Sequence, residues 1–201
     1  LSTHGTVLRR HWTSGRRQVG FGLLELSVAI GIFALLVVGA YAAYLSITHA
    51  QRVRDFEKVI TQITSSVGDL YKGQAGFDEI SPQVLASAGG VASKFVRNRG
   101  TLSEIVVADS ALIDIFPDAL GQRYVLVASQ LNEDLCVAAA RMNMKDRLDQ
   151  VFVGSNDRSV FIEGRPLTLE EAIAVCSEST NSTVGFSGRL YEGSIVAWVL
   201  R

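Results

Sequence analysis

The chain has 201 residues, 48% of them hydrophobic and 19% charged, with a formal net charge of -1. That composition accommodates one membrane segment and one domain and leaves no room for two large domains. No direct nucleic-acid-binding surface is indicated, because the charge left once the basic first 20 residues are removed is negative.

Residues 1–20 hold Arg9, Arg10, Arg16 and Arg17 and no acid. Their removal takes four of the 19 basic residues and none of the 20 acids, leaving about -5 on the remainder. From Phe21 the sequence reads FGLLELSVAIGIFALLVVGAYAAYLSITHA, with Glu25 as its single charge. A secretory signal is cut after its apolar region; here the cut expected between Gly20 and Phe21 lies before it, so the apolar segment would be kept. Residues 26–50 contain no Asp, Glu, Lys or Arg, and as a helix they span about 37 Å, enough to cross a bilayer. The all-basic flank places the leader in the cytoplasm and everything after the helix across the membrane.

Glu25 is costly where it stands, by about 3 kcal/mol on insertion scales, which makes it a functional residue by default. Two readings are open. Cleavage after Gly20 would create an ammonium at Phe21 to pair with it, or the carboxylate sits at the interface and complements the helix dipole.

The helix is predicted to continue past the membrane. Ile47, Val53, Phe56, Ile60, Ile63, Val67 and Leu70 recur mostly three or four apart with Arg52, Arg54, Asp55, Glu57, Lys58 and Gln62 between them, until Gly73 supplies a stop. A helix over residues 22–72 would be about 75 Å long. In its first half Gly31, Ala34, Gly39, Ala42 and Ala43 permit close approach of a neighbouring helix once lipid is left behind.

Beyond Gly73, Ser81 followed by Pro82 reads as the cap and first residue of a short helix ending near Gly89. Residues 104–108 and 123–128 are β-rich runs separated by turn signals at Pro117 and Gly121. Asn132 and Thr168, each followed by acids, are predicted caps of two further helices carrying one cysteine apiece. Residues 159–162, 183–186 and 194–200 complete the strand candidates, the last two joined around Gly193, for an antiparallel sheet of four or five strands. In an oxidising compartment Cys136 and Cys176 can form a disulfide; the alternative is two unpaired buried thiols. Neither a metal site nor a cofactor site is indicated, because His4, His11 and His49 are not placed to join the thiols. No phosphate loop or nucleophile elbow occurs, so no catalytic residue is assigned and no enzyme is expected. Lys145, Asp146, Arg147, Asp149, Asp157 and Arg158 read as a solvated face or as contacts to other subunits.

A basic leader, Gly20, then Phe21 followed by GLLELSVAIGIFALL with the acid fifth after the cut, resembles the signal of type IV prepilins. The resemblance implies an α+β pilin fold: a long N-terminal helical spine packed in its second half on an antiparallel β-sheet head. It implies cleavage at Gly20 and N-methylation of Phe21 by a prepilin peptidase, and a Glu25 that contacts a neighbour's amino terminus during assembly. Carried through the chain, it divides residues 1–20 (leader), 21–50 (membrane-spanning and filament-core half-helix), 51–72 (amphipathic half) and 73–201 (head, with a disulfide-bounded region 136–176 variable in such proteins). Partners would be other copies of the chain, the peptidase, membrane lipid before assembly, and an inner-membrane platform with its ATPase. The expected path runs from an inner-membrane precursor with a periplasmic head to an extracellular pilus. The length of the leader is that of the type IVb group, although phenylalanine after the cut is a type IVa habit. Stretches such as LNEDLCVAAARM are similar to thin-pilus pilins of conjugative plasmids, implying a fibre for adhesion, aggregation or mating. Alternatives are a minor pilin or a type II secretion pseudopilin, or a signal-anchored periplasmic enzyme or binding domain.

Overall fold

A computed structural model of the chain describes residues 22–99, 102–108, 110–155, 158–176 and 183–201. The chain separates into two compact units, with the second spanning Ile47–Arg201. Helix α1 covers Leu23–Leu70. Within the second unit its apolar stripe is the seed of the core: Phe56, Val59, Ile60, Ile63 and Val67 fall three or four residues apart and none is more than 2% exposed. The helix ends where Gly73 takes a φ of 84°, a left-handed conformation that costs glycine little.

The head's strands are β1 (Val96–Arg99), β2 (Leu102–Val107), β3 (Ala111–Pro117), β4 (Tyr124–Leu131), β5 (Leu148–Ser155), β6 (Arg158–Glu163), β7 (Thr183–Phe186), β8 (Arg189–Glu192) and β9 (Ser194–Leu200). Seven form one sheet in the order β1-β2-β3-β4-β9-β5-β6, and all its neighbours are antiparallel. The last strand, β9, is inserted between β4 and β5. All of its residues are buried, as a strand covered on both faces requires, and Ile-Val-Ala-Trp-Val-Leu meets that need. On the inner face, α1 packs with Ile105, Ile113, Leu126, Val151, Val196 and Trp198 in the main core. On the outer face the β7–β8 hairpin lays Val184 and Tyr191 over Phe116, Val125, Val127, Ile195 and Ala197. Gly154 allows that close approach, since a Cβ there would stand 2.7 Å from Val184 and 2.9 Å from Phe152.

Among the described residues of the head there are also three short α-helices: α2 (Pro82–Ser87), α3 (Glu133–Ala140) and α4 (Leu169–Cys176). Each starts where a side-chain oxygen accepts from the amide three residues on: Ser81 from Val84 at 3.2 Å, Asn132 from Leu135 at 2.9 Å and Thr168 from Glu171 at 3.3 Å.

The sheet is larger than the sequence suggests. Among the described residues nine strands, seven of them in the main sheet, stand in place of four or five, and β3 lies between two β-rich runs where the sequence shows only turn signals. The pairing expected between residues 183–186 and 194–200 is replaced: β7 pairs with β8, and β9 leaves for the centre of the main sheet. Of the charges after Met142, Asp149 lies in β5 and Arg158 in β6, while Lys145, Asp146 and Arg147 form the turn that leads into β5.

Among the described residues the Ser194 hydroxyl is buried without a hydrogen-bond partner. A hydroxyl in that condition opposes folding by about 1 kcal/mol or more. Ser194→Ala is therefore expected to raise the head's unfolding free energy by roughly 1 kcal/mol, read from urea midpoints; a loss of stability would contradict this.

Candidate functional site

Two regions stand out by their chemistry: the bare apolar stretch of α1, and the disulfide-bounded part of the head. In the first, residues 22–47 are all exposed, with Leu23 at 89% and Leu35 at 75%. An 18-residue window there has a mean hydropathy of 2.4, which qualifies this one helix as a membrane span by length and composition. An apolar surface so extensive calls for lipid or protein against it. Glu25 lies in the first turn of α1, where a carboxylate complements the partial positive charge of the helix end. Local bonds hold that turn: the Leu26 amide donates to Gly22 O at 3.2 Å and the Ser27 hydroxyl to Leu24 O at 2.8 Å. A Cβ built on Gly31 or Gly39 would meet nothing within 4 Å, leaving the helix backbone open to a neighbour at both positions. Gly20 and Phe21, the expected cleavage and methylation positions, lie outside the described residues.

In the head, Cys136 of α3 and Cys176 at the end of α4 are joined as a disulfide, both fully buried. The bond ties together a region that contains α3, β5, β6 and α4. The start of α4 is fixed twice over. Glu171 accepts the Thr168 amide at 2.7 Å, and Arg165 donates to both oxygens of its carboxylate at 2.8 Å. Those Arg165 bonds, followed by the Thr168 amide, draw the Glu171 carboxyl down to about 2.

Two of the charges read from sequence as a solvated face or as contacts to other subunits, the exposed Arg147 and the half-buried Asp149, also have partners within the head. Arg147 reaches across to α1 and donates to Thr64 O at 2.7 Å, passing over Gly68, where a Cβ would lie 3.2 Å from the guanidinium. The Arg201 amide then donates to Arg147 O at 3.1 Å, so one arginine links α1, the 145–147 turn and the C-terminal residue. Asp149 pairs with Arg123, which also donates to Asp118 at 2.9 Å. Desolvation alone would push the Asp118 carboxyl up, but hydrogen bonds from the Arg123 side chain and amide, its charge and the Leu120 amide together hold it below the usual carboxylate range. His49 Nδ1 lies 2.9 Å from Asp134 in the first turn of α3, an exposed pair that sequence spacing does not announce. Asp157 lies outside the described residues, as does the side chain of Arg158.

A cleft of about 370 Å³ opens between the start of α2, strands β2 and β3, and β8. Its polar groups serve one another. Arg189 and the Tyr191 hydroxyl both donate to Asp114, at 2.7 and 3.1 Å, and the guanidinium lies 4.2 Å from the Phe116 ring centre. This is a pin for the β7–β8 hairpin. Among the described residues no group of three or more His, Cys, Asp or Glu is placed to hold a metal.

Burial pushes the Tyr124 hydroxyl up to about 12, with the charge of Arg147 pulling weakly the other way. A folded-state value above the ordinary one near 10 stabilises the head fully below pH ~10, and that contribution is lost as pH rises toward 12. The thermal midpoint is expected to fall across this alkaline window, and the fall to be smaller in Tyr124→Phe. An identical alkaline profile in both proteins would contradict the assignment.

A long N-terminal helix, apolar and bare at its start, whose later turns cover an antiparallel sheet with the final strand near its centre, defines the class: an α+β pilin. The Bundlin family model, which describes type IV pilins, matches residues 46–190, and the chain belongs to that family. No curated protein matches the chain. The family is one of structural subunits that self-assemble into filaments, not a family of enzymes. Membership and the apolar helix together fit a membrane-anchored precursor that is assembled into a pilus. The matched segment takes in most of the head, and the apolar stretch with Glu25 precedes it.

Proposed function

We propose that this chain is the structural subunit of a type IVb-like pilus. A prepilin peptidase cuts after Gly20 and methylates Phe21; the subunit waits in the inner membrane with its head in the periplasm. A platform and its ATPase then draw it into a surface fibre used for adhesion, aggregation or conjugative mating. The observation that carries this reading is the exposed apolar half of α1 with one carboxylate, Glu25, in its first turn, joined to a pilin head. Lipid satisfies that surface in storage, and the same half-helix of neighbours replaces lipid in the fibre.

Intact-mass and N-terminal analysis of the protein from its native membrane tests the pathway. A chain beginning at N-methyl-Phe21 is expected. A chain still carrying residues before Gly20 would turn the assignment to a signal-anchored periplasmic protein and remove the ammonium that Glu25 is to meet.

A further inference from the structure

A sheet that does not close has two rows of backbone groups without a strand neighbour, and among the described residues they belong to β1 and β6. The two edges differ in kind. β1 reads Val-Arg-Asn-Arg, and charges of this sort keep an edge from pairing with its own copy. β6 reads Arg-Ser-Val-Phe-Ile-Glu. It has no proline or lysine, its Phe161 is 52% exposed, and Val160 and Ile162 pack on the opposite, inner face. An edge of that composition is a template for another strand. A fibre built from one kind of subunit grows by head-to-tail contact between two different surfaces of the same chain. These two edges are such a pair.

The geometry points to one occupant for the β6 edge: β1 of a second copy, so that the sheet continues from subunit to subunit, an inference that rests on the assembly reading above. Six successive antiparallel pairings separate β1 from β6, so the two edge strands run in the same direction. Copies repeated with one polarity then bring them together as a parallel pair. Val96 pairs with Ile105 of the inner core, which puts Arg97 on the outer face by alternation. In β6, Phe161 is opposite Phe152 of the outer cluster, and Glu163 follows on the same face. The register that sets Val96 beside Val160 also sets Arg97 beside Phe161 and position 99, an arginine, beside Glu163. Val96 meets Val160 and Asn98 meets Ile162 on the inner face, while on the outer face the guanidinium of Arg97 meets the aromatic ring of Phe161. A slip of one residue would put Arg97 on the face of Val160, and β1 against β1 would bring arginine to arginine. Four residue pairs bury too little to hold free heads together, so the contact operates where α1 packing already keeps neighbours close.

Fibres of the full chain carrying both Arg97→Cys and Phe161→Cys test this. Mild oxidation is expected to give a ladder of covalent multimers on a non-reducing gel, while either single variant gives none. The native cysteines, fully buried in their own bond, stay out of the exchange. Normal fibres that yield only monomers would overturn the pairing and leave the assembly reading intact. Covalent dimers from Phe161→Cys alone would overturn it in favour of β6 meeting β6. Should the two cysteines together prevent assembly, a charge exchange decides: Glu163→Arg is expected to cut fibre yield several-fold and added Arg99→Glu to restore it. A yield indifferent to both changes would overturn the pairing. If the unsubstituted chain forms no fibres at all, the assembly reading has failed and the pairing falls with it.

Discussion

Replacing both Cys136 and Cys176 by alanine is expected to lower the unfolding free energy of the head by about 4 kcal/mol. The two residues are 40 apart in sequence, and a bond closing a loop of that length removes much of the unfolded chain's freedom. The folded state has more to lose than entropy alone. The bond joins the second turn of α3 to the last residue of α4, and both sulfurs are fully buried against the sheet. Helices of eight residues have little stability of their own, so α3 and α4 depend on packing and on this tie. A marginally stable domain holds only about 5–15 kcal/mol, so the loss is a large fraction of the total. Equilibrium urea unfolding of the full chain in detergent, followed by the fluorescence of buried Trp198, measures the change. A difference below about 1 kcal/mol would mean that the caps at Asn132 and Thr168 hold the two helices without the bond.

What the sequence makes legible is what short-range chemistry decides. The stripe from Phe56 to Val67, the caps at Ser81, Asn132 and Thr168, and the stop at Gly73 each act over three or four residues, and each stands where the spacing put it. The apolar run of α1 is equally local, because its composition alone qualifies it as a span. Strand order is a different matter. β9 sits between β4 and β5 because a fully apolar strand needs cover on both faces, a demand met by elements far away in sequence. β3 alternates buried and half-buried residues from Ala111 to Ile115, yet Asp114 obscures the pattern until its partners Arg189 and Tyr191, 75 and 77 residues on, are in place. In the same way Arg147 lies in a charged run, and only the fold brings it to Thr64, 83 residues earlier. The bond from His49 to Asp134 has no sequence signal either. Long-range pairs of this kind give partners within the head to charges that the sequence shows only as a surface.

Glu25→Ala is expected to abolish incorporation into fibres while leaving the head folded. The two halves of that statement have separate grounds. The head is untouched because Glu25 is exposed and belongs to the unit that precedes Ile47. Incorporation fails because, in the assembly proposed above, the neighbour's Phe21 ammonium enters an apolar fibre core where this carboxylate is its counter-charge. Deleting one member of a buried ion pair strands the other, at about 3–5 kcal/mol, which corresponds to a loss of more than about a hundredfold in subunit affinity. The small residues Gly31 and Gly39 do not compensate, since close helix packing supplies attraction but no charge. Glu25→Gln separates the two contributions: it keeps a hydrogen-bond acceptor and removes the charge, so partial recovery assigns part of the effect to hydrogen bonding. Sheared fibres and the membrane pool are quantified by immunoblot, and the fold of the head by circular dichroism of the membrane form. Normal fibre yield from Glu25→Ala would show that the carboxylate serves only the helix dipole at the membrane surface, the other role its position in the first turn allows.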